Sequence, residues 1–189
     1  MKIIITENQY ELLKEMGDKP KVYNFPSLEI FGNEDPIDNW NLMQKFLDKK
    51  GNPEYTVGGD LNLRKTSIKT LGNLTSVGGD LYLTRSSIES LGKLTSFGGS
   101  LYLTSSSIES LGNLTSVGGN LSLEGTPIES LGNLTSVGGN LSLEGTPIKS
   151  LGNLTTVGGT LDLDGTPISK NYTEEEIRSQ VKVEGKIYL

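Results

Sequence analysis

The 189-residue chain contains no cysteine and no histidine. The first absence excludes a disulfide framework, a thiolate nucleophile and any Cys/His zinc site. The second excludes triads and relays that move protons through imidazole. Aromatic residues make up only 6%, with a single Trp, and apolar residues only 34%. No apolar run is longer than the three residues Ile3–Ile5, far short of the roughly 20 that cross a bilayer. Positive charge is scarce too: the formal net charge is −6 and no basic stripe is present. A nucleic-acid partner is therefore not expected, nor a membrane. The opening MKIIITENQ turns polar at once, without the apolar core and small-residue cleavage site of a signal peptide. The expected location is the cytoplasm of the producing cell. The NLT triplets at Asn73, Asn113, Asn133 and Asn153 then read as repeat residues rather than glycosylation sites.

What the chain has in quantity is glycine, 24 residues, and a register. Blocks of twenty begin at Val57, Val77, Phe97, Val117, Val137 and Val157. Their shared frame is V-G-G-x-L-x-L-x-x-x-x-I-x-x-L-G-x-L-T-S. Residues 117–136 and 137–156 differ at only two positions of twenty, Glu129/Lys149 and Ser136/Thr156. A disordered chain needs no such register, and a period of this length means a solenoid whose coils stack on their neighbours.

The frame assigns roles by residue class. Leu81 and Leu83 are two apart, so both face inward from a strand of about residues 80–84, with Asp80 and Tyr82 facing out. Copies of that strand build a parallel sheet of about seven strands. Ile88, Leu91 and Leu94 supply inward residues of the other sides, as extended or 3₁₀-like arms. The glycines mark corners. The expected fold class is a right-handed, leucine-rich-repeat-like β-solenoid with small helical caps at both ends.

Three regions follow: an α/β cap over 1–56, solenoid repeats over 57–168, and a helix and strand cap over 169–189. In the first, Thr6–Gln9 is a capping box for a helix near 7–16. A degenerate strand follows at Ser27–Ile30, with Leu28 and Ile30 inward. Asp35-Pro36 opens a helix over about 36–49, with a stripe of Ile37, Trp40, Met43, Phe46 and Leu47. Trp40 reads as core. In the last region, Thr173–Glu176 is a capping box for a helix near 174–180. VKVEGKIYL then re-enters the frame with Val183, Gly185, Ile187 and Leu189. Lys182 and Lys186 discourage pairing at that edge.

L-x-L-x-x-x-x-I-x-x-L resembles leucine-rich repeats. LTSVGGDLYL resembles the receptor L-domain type of β-solenoid and the short repeats of bacterial and phage proteins. The opening MKIIITENQYELL is similar to starts of phage-encoded proteins. The resemblance implies a non-catalytic binding or structural module, a virion component or a host-interaction factor. The arm is shorter than in ordinary leucine-rich repeats and has no helix, which favours a straighter rod.

Candidate chemistry is sparse. The Gly pairs match no phosphate-loop pattern. The residue after each pair runs Asp60, Asp80, Ser100, Asn120, Asn140, Thr160, which loses the acid a calcium β-roll needs. Glu124, Glu144 and Asp164 form a solvated acidic row, and the only candidates for an enzyme on a solenoid. No catalytic residue, cofactor or metal is assigned. Thr75, Thr95, Thr115, Thr135 and Thr155 form a ladder that either satisfies backbone groups or binds a surface such as ice. The outward strand face carries the most information. Asn62, Arg64, Lys65, Tyr82, Arg85 and Tyr102 make one end basic and aromatic, and the face grades to acidic at the other. These six are the candidate binding residues, with a protein partner or self-association as the expected use.

Overall fold

Each block forms one coil, and its Leu-x-Leu segment locks that coil to the next. A computed structural model describes residues 22–28 and 35–189. Coils 1 to 6 begin at Val57, Val77, Phe97, Val117, Val137 and Val157. The N-terminal elements are β1 (Val22–Phe25), α1 (Pro36–Lys49) and β2 (Glu54–Val57). Coil 1 adds β3 (Leu61–Asn62) and β4 (Leu74–Val77), and coil 2 adds β5 (Leu81–Tyr82) and β6 (Ser96–Phe97). Then come β7 (Leu101–Tyr102), β8 (Ser116–Val117), β9 (Leu121–Ser122) and β10 (Ser136–Val137). The array closes with β11 (Leu141–Ser142), β12 (Thr156–Val157), β13 (Leu161–Asp162), α2 (Pro167–Asn171), α3 (Glu174–Gln180), β14 (Lys182–Val183) and β15 (Ile187–Tyr188).

Every strand pairing among the described residues is parallel, and those between repeats keep the twenty-residue register, with one shift between Tyr55 and Thr56 where β2 meets β4. Leu61 pairs with Leu81, then Leu101, Leu121, Leu141, Leu161 and finally Ile187. This is a seven-stranded sheet, β15-β13-β11-β9-β7-β5-β3, of the size the repeat predicts. Its ladder strands are two residues long, shorter than the expected 80–84. A second parallel sheet, β14-β12-β10-β8-β6, stacks Phe97, Val117, Val137, Val157 and Val183. The Ser-Val end of each arm is therefore a strand in its own right, where the sequence gives only an extended arm. The reason is the twenty-residue register itself: it aligns the arms as faithfully as the Leu-x-Leu segments. A third sheet, β1-β2-β4, joins the N-terminal region to coil 1. There the strand is Val22–Phe25 rather than the expected Ser27–Ile30, because Tyr23 and Phe25 are the alternate residues turned into the core. Leu28 is buried as expected, while Ile30 and the helix expected near 7–16 lie outside the described residues.

All six apolar positions of a coil point inward: Leu81, Leu83, Ile88, Leu91, Leu94 and Phe97 are buried, as are their copies. One continuous core results. The Gly pairs sit where the backbones of neighbouring coils stack closely, at both positions in most coils and at Gly99 rather than Gly98 in coil 3. A Cβ on Gly138 would run into the carbonyl of Gly118. The Gly after Leu91 plays another part: Gly92 has φ +66, the left-handed region.

Both ends are covered as the caps predict. Asp35 accepts from the Ile37 N–H at 2.9 Å to start α1, and Trp40, Met43 and Leu47 enter the core. Tyr55 ties α1 to coil 1. Its hydroxyl donates to the Leu71 carbonyl at 2.7 Å and accepts from Gln44 Nε2 at 3.1 Å. Burial pushes that phenol well above its ordinary pKa. At the other end α2 replaces the Ile-x-x-Leu arm, with Thr166 as its N-cap. The capping box of Thr173 and Glu176 then starts α3. Arg178 reaches from α3 to the last coil, donating to the Val183 and Gly185 carbonyls at 2.7 and 2.9 Å.

Candidate functional site

The outward face of the seven-stranded sheet brings its candidate residues together because strand neighbours lie one coil apart. Tyr82 pairs with Tyr102 across β5 and β7. Their rings stack with centroids 5.0 Å apart and planes within 3° of parallel. The Arg64 guanidinium lies over the other face of Tyr82, 3.9 Å from its centroid. Arg64, Tyr82 and Tyr102 are thus one continuous stack, a cation on an aromatic pair. Asp80 braces it, accepting from the Tyr82 hydroxyl at 3.1 Å, and this bond is the main reason the Tyr82 phenol is harder to ionise than usual. Asn62 lies beneath, at the register position of Tyr82, and accepts from the Arg64 N–H at 3.3 Å.

Lys65 and Arg85 stand at the rim, where each strand turns. Both adopt the left-handed conformation, with φ 56 and 55, as does Ser105 with φ 54. From coil 4 onward the same position is glycine: Gly125, Gly145 and Gly165. The first coils therefore keep a side chain at a site that favours glycine. In two of the three that side chain is a cation.

Beyond Tyr102 the column falls to Ser122, Ser142 and Asp162 before ending on the exposed Tyr188 of β15, and the neighbouring column becomes Glu124, Glu144 and Asp164. The two small residues leave the surface lower there. Thr104 and Ser122 share a hydrogen bond of 2.6 Å at the step. The Glu144 carboxyl is raised above its ordinary pKa, first by Glu124, then by burial, Asp162 and Asp164. The gradation from basic and aromatic to acidic is real in space.

The other ladders have backbone duties. Asp60 accepts from the Asp80 N–H, Asp80 from Ser100, Ser100 from Asn120, Asn120 from Asn140 and Asn140 from Thr160, at 2.7–3.1 Å. Any side chain that ends in an acceptor at the right reach will serve, so acid, amide and hydroxyl interchange. The Thr ladder behaves likewise. Thr115, Thr135 and Thr155 donate to the carbonyl twenty residues earlier at 2.9–3.0 Å. Among the described residues no group of three or more carboxylates is placed to hold a metal ion.

One feature went unseen in the sequence. A shallow groove of about 540 Å³ runs along the second sheet, between the Ser column (Ser96, Ser116, Ser136) and the first-Gly column (Gly98, Gly118, Gly138), ending at Lys182 and Glu184. Its signal was the absence of a Cβ beside a serine in every coil.

These elements define a class, a parallel β-solenoid with helical ends and one chemically varied face. Comparison with protein-family models, with curated proteins and with solved structures finds no match to the chain.

Proposed function

We propose that the chain is a non-catalytic protein-interaction module, and that the outward face of the seven-stranded sheet binds. The observation that carries this reading is the Arg64–Tyr82–Tyr102 stack. Aromatic residues and arginine dominate the energetics of protein interfaces, and here two tyrosines on rigid strands and an arginine in the adjoining turn are pre-ordered by their stack, so little side-chain freedom is lost on binding. The carboxylates weighed for catalysis, Glu124, Glu144 and Asp164, are exposed in one open column, an arrangement that suits charge pairing.

The kinship with leucine-rich repeats and phage-type solenoids belongs to this proposal, as does a place in the producing cell's cytoplasm or in a virion. Co-purification with particles tests the virion branch. For the face itself, a photo-crosslinking residue at Thr104 should capture a defined protein in the producing cell. The same residue at Glu109, on another side of coil 3, should not, and Tyr82→Ala/Tyr102→Ala should abolish the product. Equal products from both positions, or capture indifferent to the tyrosines, would sink the reading.

A further inference from the structure

The binding face is complementary to itself, and the pattern can be followed coil by coil. Coils 1 and 2 carry Arg64, Lys65 and Arg85, and coils 5 and 6 carry Glu144, Asp162 and Asp164. Coils 2 and 3 carry the bulky Tyr82 and Tyr102, while coils 4 and 5 carry Ser122 and Ser142 in the same column. Over coils 1 to 6 charge and size therefore both reverse about the middle, with Tyr188 of β15 lying beyond the opposed coils.

Two copies facing each other can be related by a twofold axis in either of two directions. An axis along the solenoid sets each coil against its own copy. That reverses the strand direction, so the two columns exchange, but it still lays the basic coils 1 and 2 over themselves, the acidic coils 5 and 6 over themselves and the tyrosine coils 2 and 3 over themselves, which fails on charge and on shape. An axis along the strands sets coil 1 against coil 6, 2 against 5 and 3 against 4. It preserves the column, so Arg64 meets Asp164, Asn62 meets Asp162, and Arg85 at the rim stands beside Glu144. Tyr82 then faces Ser142 and Tyr102 faces Ser122, a projection against a recess in both cases. One operation satisfies charge and size together, as an isologous interface requires.

Resting on the binding face proposed above, we infer that its partner is a second copy of this chain, docked face to face with the coil order reversed. The guanidinium of Arg64 suits the role. It is held over Tyr82 while its N–H groups are left for a carboxylate across the interface. The raised Glu144 carboxyl, crowded by acids of its own chain, gains a cationic neighbour in the dimer.

The size of the patch sets the strength. Coils 1 to 6 span about 24 Å, and residues 62–65 about 13 Å along the strand. This projects to about 300 Å² per copy, well below the roughly 800 Å² per partner of a stable complex. The dimer is therefore weak, reversible and salt-sensitive.

Sedimentation equilibrium at increasing chain concentration tests it, with circular dichroism to confirm that each variant keeps the β-sheet signal. Wild type should dimerise in about 20 mM salt and dissociate in about 500 mM. Arg85→Glu should raise the Kd at least about tenfold, and so should Glu144→Lys, because each sets like charges opposite one another at both copies of the pair. An equimolar mixture of the two folded variants should recover a heterodimer within about threefold of the wild-type Kd, since the exchanged pair and the untouched Arg64–Asp164 pairs are then all opposite in sign. A mixture that stays monomeric overturns the inference, as does a dimer untouched by either variant. A wild-type monomer at all concentrations up to about 1 mM in low salt removes the second copy but leaves the binding face to the crosslinking experiment.

Discussion

Ser86 and Ser106 occupy the same buried position in adjacent coils, but only Ser86 has a hydrogen-bond partner for its hydroxyl. Its Oγ donates to the Leu83 carbonyl at 2.7 Å, as Thr126, Thr146 and Thr166 do in their own coils. Ser106 Oγ is buried without a partner. Truncation should separate them. Ser86→Ala loses a bond and leaves a carbonyl lone pair unmet, at a cost of about 1 kcal/mol. Ser106→Ala removes an unpartnered hydroxyl and should be neutral or stabilising. Urea denaturation of the two variants side by side checks this. The rim residues give a second contrast. Ser105 holds φ 54 where later coils have glycine, so Ser105→Gly should raise stability by about 0.5–1 kcal/mol, as relief of strain outweighs added chain entropy. The reverse change, Gly145→Ser, should lower it by a similar amount.

Between single residues and the whole rod lie the ladders and caps. Arg178 joins α3 to the last coil through two carbonyls and pairs with Glu174 at 2.8 Å. Arg178→Ala should cost about 1–2 kcal/mol, and hydrogen exchange should place the loss in β14 and β15 before coils 1 to 5. The acidic column responds to pH. A carboxyl whose folded-state pKa is raised gives stability present at low pH and lost as pH climbs through that value. Glu144 is such a group, with Glu124 as the chief cause. Glu144→Gln should therefore raise the melting temperature at pH 7, with the gain vanishing near pH 4 and shrinking in high salt. The measurement belongs at low micromolar concentration, where the chain is monomeric.

These elements also show what could be read without coordinates. The Leu columns, the seven-strand count, the helix over 36–49 and the capping box at Thr173 were legible, because each depends on local spacing or a cap. The column of Asn62, Tyr82 and Tyr102 was legible, because a period of two and a register of twenty put those residues on one side, whereas Lys65 and Arg85 are out of that phase and reach the rim through the turn. The stacking of Arg64 on Tyr82 was not, since it joins columns 62 and 64 across two coils and depends on the reach of one side chain. The second sheet was hidden for a different reason. A two-residue strand such as Ser116–Val117 carries no alternation, and only its neighbours twenty residues away make it a strand. Likewise α2 starts at Pro167, the residue that matches the corner positions Pro127 and Pro147, and differs only in the Ser-Lys-Asn that follows Ile168.

At the scale of the molecule, stability is a sum over neighbouring coils. Deleting residues 137–156 joins coil 4 to coil 6 in unchanged register and should leave a folded protein with a lower melting temperature. Deleting 137–154 breaks the Leu and Gly columns at the junction and should abolish cooperative unfolding; calorimetry distinguishes the two. The same deletion of a whole coil also shifts the charge pattern, since coil 5 carries Glu144. Length and self-recognition are thereby coupled. The close backbone stack at Gly138 over Gly118 has a consequence for inheritance. Within the twenty-residue blocks it holds each coil to the length of its neighbour, so gain or loss of a whole block leaves the stack intact. Near-identical blocks such as 117–136 and 137–156 are the substrate unequal recombination needs. A lineage carrying this gene can therefore change its coil count in one genetic event, and each such event resets which charges lie opposite one another.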